Sequence, residues 1–399
     1  MELLRKWDCN VPTLRFKQYH CPWSTYHLSD IAEVVGGGTP DTTVSSLWNG
    51  DIQWFTPTEV GHQKYVSKSA RTITQLGLQK SSAKKLPAGS ILLSSRATIG
   101  ECSIAQRECT TNQGFQNLIP KKDTNNEFLY YLAQTKKHHF IKYASGSTFL
   151  EISNSEIKKT KCTVPGTEEQ TQIAAFLSAL DDRIAVQNKI IEDLKVLKKE
   201  LCAKLFGSPL CGRIIAIEQV ADIYGGYAFN SKAYVNKGKY KIVTIGNVTG
   251  DKYISGNYNT IDRLPNNIQK PQVLSKGDIL VSLTGNVGRI SIVDGDEYLL
   301  NQRVAKLGIE DDLTKEYIYQ YLSNSSFEKD MINAGQGAAQ KNIKNQDILS
   351  YCIRFPTDQT ALENIDKLLS LYDIRITSEK AILSNLILQK SYYLRAMFI

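Results

Sequence analysis

Arginine, asparagine and glutamine sit on short polar turns between apolar strands at several places in this chain. Those side chains suit hydrogen bonding to base edges: amides pair bidentately with adenine, and guanidinium with guanine. Ser94-Ser95-Arg96-Ala97-Thr98 follows the apolar run "SILL", and Ser282-Leu283-Thr284-Gly285-Asn286 follows "DILV". Asn112-Gln113 has a counterpart in Asn301-Gln302-Arg303. The turns Gly36-Gly37-Gly38-Thr39 and Gly225-Gly226-Tyr227 present backbone N–H groups to a phosphate, or are simply tight turns. Cations nearby include Lys64, Lys68, Arg71, Lys142, Lys252, Arg289 and Lys341, the residue type that contacts phosphate. The candidate nucleic-acid contacts are therefore Gly37, Thr39, Lys64, Ser95, Arg96, Thr98, Asn112, Gln113 and Lys142 in the first half. In the second half they are Tyr227, Lys252, Thr284, Asn286, Arg289, Gln302, Arg303 and Lys341. A solvated basic surface is the plainer reading of most single lysines.

Catalytic alternatives find little support. The chain has no G-x-x-x-x-G-K-[ST] loop and no Asn/Asp-Pro-Pro-aromatic tetrapeptide. Pro40-Asp41 and Glu156-Ile157-Lys158 lie too far apart in sequence to mark a nuclease core, and the later copy reads Asp347-Ile348-Leu349 there. The 8 cysteines form no C-x-x-C pair, and the 5 histidines make no H-E-x-x-H pattern, so no metal site is expected. The charge balance of 48 Lys+Arg against 40 Asp+Glu, net +8, is mildly basic. No apolar run approaches the roughly 20 residues of a membrane span. The first residues carry no apolar signal stretch, which makes the cytoplasm the expected location.

These turns recur because the chain is duplicated. "IAEVVGG" returns as "VADIYGG", "LPAGSILLSSRATIGECSI" as "LSKGDILVSLTGNVGRISI", "TNQGFQNL" as "LNQRVAKL", and "ISNSEI" as "IKNQDI". The offset stays near about 190 residues, too long for a solenoid, so each copy is a self-sufficient domain. Each copy reads as a short amphipathic helix into a Gly-rich turn, then strands, one short helix, a small-residue loop and a final strand. The expected class is α+β.

Two long helices must position the copies. From Glu168 to Phe206 there is no Gly or Pro, Thr167 with Gln170 fits a capping box, and "FGSP" supplies the stop. Leu177, Leu180, Ile184, Ile191, Leu194, Leu201 and Leu205 form a heptad seam with Gln187 and Lys198 on it. At the C-terminus Leu369, Tyr372, Ile376, Leu383, Leu386, Tyr393 and Met397 repeat it, interrupted by Glu379 and Lys390. Two mutually paired helices are expected, against the alternative that each lies on its own domain. Antiparallel pairing would make a pseudo-two-fold object on a rod of about 27 residues, roughly 40 Å long. That compares with roughly 34–36 Å for a turn of B-DNA. The expected segments are 1–166, a first recognition domain with an N-terminal arm, and 167–208, the central helix. A second domain, 209–356, and a C-terminal helix, 357–399, follow.

"NVPTLRF", "LLSSRATIG", "TNQGF", the "ISNSEIKKTKCTVP" strand and "EEQTQIAAFLSALDDRIAVQNKIIEDLKVLKKELCAKLF" together resemble the specificity subunit of type I restriction–modification systems, along essentially the whole chain. The second helix keeps Gln359, Leu369, Asp373 and Arg375 but lacks the paired glutamates. The resemblance implies two target-recognition domains, each reading half of an asymmetric, interrupted site in double-stranded DNA. It implies helices that set the spacing and dock two methyltransferase subunits, with restriction subunits joining the full complex. S-adenosylmethionine and ATP would serve those partner subunits, with no cofactor and no catalysis in this chain. A protein-interaction scaffold without DNA specificity, or a silent allele, are the alternatives.

Overall fold

Two fully buried apolar runs explain why each copy has layers on both faces of one sheet. In the computed structural model, which describes residues 11–146, 150–208, 212–335 and 342–399, Ile91–Leu93 and Ile279–Ser282 are the central strands. Ile91 and Leu93 enter one core and Leu92 another. Ile279 and Val281 likewise enter one core and Leu280 another. Alternate side chains of a strand point to opposite faces, so a strand covered on both sides reads as a continuous apolar run.

The chain divides into two compact units, residues 1–186 with 383–399, and residues 187–382. Each unit takes part of both long helices. In the first, a sheet runs Ala32–Gly36, Gln116–Pro120, Ile91–Leu93, Cys102–Ala105, Tyr65–Val66. A smaller sheet runs Arg71–Ile73, Trp48–Phe55, Thr110–Thr111, and Ser24–His27 pairs antiparallel with Lys161–Val164. The second unit repeats the plan. Its larger sheet is Asp222–Gly225, Val304–Gly308, Ile279–Ser282, Ile290–Ile292. Its smaller sheet is Asn259–Ile261, Tyr240–Val243, Tyr298–Leu300, Val273–Leu274, and Arg213–Ala216 pairs with Cys352–Phe355. Both smaller sheets contain one parallel pair, Trp54 beside Thr110 and Lys241 beside Tyr298.

The long helices span Thr167–Gly207 and Gln359–Ala396. Within the first unit, Leu177 and Leu180 share a core with Met397 and Phe398, and the Phe176 and Tyr393 rings meet edge-to-face at 4.9 Å. Within the second, Leu201 and Leu205 pack against the core that holds Leu362, Ile365 and Leu369. An early stretch of each helix thus meets a late stretch of the other, which is antiparallel pairing. Ile191 and Leu386 are buried; Ile184, Leu194, Tyr372, Ile376 and Leu383 are half-buried on the same seam.

Local readings differ at four places. The helix expected before each glycine turn is one turn at Leu28–Ile31 or a 3-10 turn at Ile217–Gln219; the rest of "AEVVG" and "DIYG" is strand, because it pairs along the sheet. The one short helix is two, Asn126–Thr135 with Lys137–Lys142, and Asp312–Leu322 with Ser325–Ala334. "ISNSEIKK" is helical rather than strand, Asn154–Lys159, because Ser153 Oγ accepts from the Glu156 N–H as an N-cap. Thr167 and Gln170 make no capping box. Thr167 Oγ1 donates to the Asp123 carbonyl at 3.1 Å, and Gln170 Oε1 accepts from the Asn125 N–H at 2.9 Å, so both tie the helix start to its domain.

Candidate nucleic-acid interface

In the first unit the polar turns converge at one edge of the larger sheet, the end where Ala32–Gly36 and Ile91–Leu93 finish and Gln116–Pro120 begins. Thr39 Oγ1 donates to Gln113 Oε1. The Asn112 N–H donates to the Phe55 carbonyl at 3.0 Å, and Asn112 Oδ1 accepts from the Gly114 N–H at 2.8 Å. The Ser95 N–H donates to the Gly114 carbonyl at 2.8 Å, which joins the two turns, and Thr98 Oγ1 lies 3.2 Å from Ser94 Oγ. Arg96 is held by a β-bridge to Glu151 and an ion pair at 2.8 Å, yet its side chain remains 42% exposed. Ser95 Oγ is buried and has no hydrogen-bond partner among the described residues. Gly37 has a packing reason: a Cβ there would lie 1.9 Å from the Asn112 carbonyl oxygen. Lys142 is exposed at the end of its helix, 5.6 Å from the Tyr143 ring centroid. The following Ser145 bridges to Glu151 and so reaches the same edge.

The second unit builds the same edge with other side chains. The Gln302 N–H donates to the Tyr227 carbonyl at 3.0 Å, and the Leu283 N–H to the Arg303 carbonyl at 3.0 Å. Tyr227 donates its hydroxyl to Asn267 Oδ1 at 2.7 Å and stacks edge-on with Phe229. Thr284 takes the place of Arg96, since each follows a buried serine by two residues and each makes an isolated bridge, Thr284 to Asn342. Thr284 Oγ1 is buried without a partner among the described residues. Asn286, Gln302 and Arg303 are exposed, and the Asn286 carbonyl accepts from Ser282 Oγ. Lys341 and most of both small-residue loops, residues 147–149 and 336–341, lie outside the described residues. A scaffold kept alike while its exposed side chains differ is what two readers of unlike sequences require.

Three cations chosen from sequence go elsewhere. Lys64 Nζ pairs with Glu127 at 3.0 Å and Ser178 Oγ at 2.5 Å, and its side chain is only 11% exposed. Lys252 pairs with Glu316 at 3.2 Å and Asp373 at 3.5 Å. A phosphate contact would have to strip either lysine from these carboxylates. Arg289 pairs with Glu328 at 3.2 Å. The first copy holds the same pair with charges reversed, Glu101 with Lys137. Gly100 lies beside Lys137 as Gly288 lies beside Glu328, which marks the site as a helix-to-sheet tie.

Around the two lysines the copies share a network. Asp181 accepts from the Tyr131 hydroxyl at 2.6 Å and pairs with Lys390 at 2.6 Å. Asp373 accepts from Gln320 Nε2 at 2.8 Å and pairs with Lys198 at 2.5 Å. Ser178 donates to Glu127 at 2.6 Å, as Ser370 does to Glu316 at 3.3 Å. Burial pushes the Tyr131 hydroxyl pKa well above its ordinary value, so it stays a proton donor. For Glu127 burial acts upward, but the bonds from Ser178, Tyr65 and Lys64 outweigh it and hold the carboxyl below its ordinary range. Two repeated snippets, Lys64-Tyr65 with Lys252-Tyr253 and Ser178…Asp181 with Ser370…Asp373, carry this network in the sequence. Among the described residues no group of three or more His, Cys, Asp or Glu is placed to hold a metal ion, and no helix is long and apolar enough to cross a membrane.

Comparison with known proteins agrees with the duplication. The family model described as "Type I restriction modification DNA specificity domain" matches twice, over residues 21–196 and 213–387. The specificity subunit of the type I restriction enzyme MjaIX from Methanocaldococcus jannaschii is 40% identical over 205 residues, 50% of this chain and 48% of that protein. The chain thus spans about half the length of that relative. The MjaVIII specificity subunit from the same organism is 26% identical over 382 residues, 88% of this chain and 87% of its own length. The crystal structure of a type I S subunit from M. genitalium shares the fold at 16% identity, with a TM-score of 0.57 over 98% of this chain and 99% of that one. Matched across both of its copies, the chain belongs to the type I restriction modification DNA specificity domain family.

Proposed function

We propose that this chain is the DNA-reading subunit of a type I restriction–modification complex and is itself non-catalytic. Each unit reads one half of a bipartite, asymmetric site in double-stranded DNA through the edge built by its polar turns. Arg96, Thr98, Asn112, Gln113 and Thr39 are the readers in the first unit, with Lys142 on phosphate. Tyr227, Asn286, Gln302 and Arg303 are the readers in the second, beside Thr284 whose hydroxyl is buried, with Lys341 on phosphate. The paired helices set the spacing and dock two methyltransferase subunits; restriction subunits complete the assembly. S-adenosylmethionine and ATP are used by those partners.

One observation carries this reading. The same edge is framed by equivalent backbone bonds in both units, yet a half-exposed arginine stands in one where a threonine stands in the other. Phosphate contacts position a protein on DNA, whereas differing side chains at base edges specify sequence. The test is titration of the assembled complex with methyltransferase onto duplexes carrying its site, across salt concentrations. Arg96→Ala and Arg303→Ala are expected to lose discrimination between sites, each by about 1–3 kcal/mol. Lys64→Met and Arg289→Met are expected to leave discrimination intact. Equal affinity for every duplex before any substitution would overturn the reading.

A further inference from the structure

A polar network, buried at Asp373 and half-buried at Asp181, joins three helices at one carboxylate, twice. Asp181 stands on the central helix, receives a bond from Tyr131 on a helix of its recognition domain, and pairs with Lys390 on the C-terminal helix. Asp373 stands on the C-terminal helix, receives a bond from Gln320 on a helix of the other recognition domain, and pairs with Lys198 on the central helix. Five of the paired positions keep the same residue in both copies, and the sixth exchanges tyrosine for glutamine while keeping a donor.

Burying such charges is costly, and an apolar junction of similar volume often matches or exceeds the stability of a buried ion pair. A network kept twice at the same junction therefore needs a reason other than stability. Its bonds are directional, whereas apolar contact permits sliding and rotation. Three helices tied to one carboxylate have one relative angle.

We propose that Asp181 and Asp373 are positioning residues, each fixing the angle of a recognition domain on the helix pair, and through it the distance between the two half-sites. The proposal rests on the reading of the chain as a split-site DNA reader. Lost fixity at either junction lets that domain reach half-sites one base pair nearer or farther, without altering which bases it prefers.

The experiment maps methylated adenines in cells expressing the full chain with its methyltransferase partner. Wild type is compared with Gln320→Leu, Gln320→Tyr, Tyr131→Phe and Lys198→Met. Gln320→Leu and Tyr131→Phe are expected to raise methylation at sites with a spacer one base pair off by about tenfold, the scale of one lost hydrogen bond to a charged group. Both half-site base sets stay unchanged. Lys198→Met relaxes spacing from the helix side. Gln320→Tyr, which installs the donor used by the other copy, keeps spacing strict. Strict spacing in all four variants overturns the proposal. So does loss of all methylation in Gln320→Tyr and Gln320→Leu alike with the second domain no longer protease-resistant, since the network would then serve only folding. A wild-type map without a split motif removes the underlying reading, and that result is seen before any variant is compared.

Discussion

Gln187 donates through Nε2 to the backbone carbonyl of Glu379 at 3.2 Å and to its carboxylate, and the two residues are 192 positions apart in the chain. The same offset relates Asp181 to Asp373 and Lys198 to Lys390. Equivalent polar residues of the two helices therefore touch each other at one point. The two ion pairs that flank it are the same pair written twice, Asp181 with Lys390 and Asp373 with Lys198. A buried polar residue in a helix seam is the best-attested device for fixing register.

Gln187→Leu tests that device. Glu379, with its side chain 5% exposed, would keep Arg375 but lose its partner across the seam. Destabilisation of about 1–3 kcal/mol is expected in denaturant unfolding, the cost of leaving a buried acceptor unsatisfied. Gln187→Leu with Glu379→Leu should recover or exceed wild-type stability while assembly with the methyltransferase becomes heterogeneous.

Leu194→Pro should break the central helix where it is half-buried. The ring removes a backbone bond and clashes with the preceding turn, at about 3 kcal/mol or more. Co-purification with the methyltransferase is expected to be lost while near-ultraviolet circular dichroism still reports packed recognition domains. Retained assembly would show that the helix does not set the geometry.

Glu101 and Lys137 offer a test drawn from the other copy. Glu101→Lys or Lys137→Glu alone places like charges together and should cost about 0.2–1 kcal/mol, the range for partly exposed pairs. The double reversal recreates the Arg289–Glu328 polarity and should unfold within about 0.5 kcal/mol of wild type.

Glu127 gives a pH dependence with a definite sign. Its folded pKa lies below the ordinary value of 4.5, so the stability it contributes is present above that value and lost as pH falls through the folded one. Glu127→Gln should be less stable at neutral pH and should flatten the fall in stability on acidification below about pH 4.5. An unchanged acid profile in urea titrations would rule out this role.

The duplication, the central strands and both long helices are legible in the sequence because each repeats a strong periodic signal. "SILLSS" and "DILVSL" read as buried strands because cores lie on both faces. Lys64, Lys252 and Arg289 were not legible as internal ties. A lysine's spacing says nothing of the carboxylate that folding brings beside it, and Glu127, Glu316 and Glu328 arrive from far along the chain. A charge kept at both copies, as at Lys64 and Lys252, marks a shared structural task. Divergence, as at Arg96 and Thr284, is what the proposed reading edge requires. Glu151 and Asn342, which bridge to those two residues, come from loops with no periodic pattern.

Whether one chain carries two unlike readers is decided by a genome-wide map of adenines methylated by the chain with its methyltransferase partner. One motif made of two different half-sites separated by a spacer of fixed length is expected. Arg96→Gln would change only the half read by the first unit, and Gln302→Ala with Arg303→Ala only the other. Methylation at a continuous or palindromic sequence, or a change in both halves from a substitution in one unit, would exclude two independent readers.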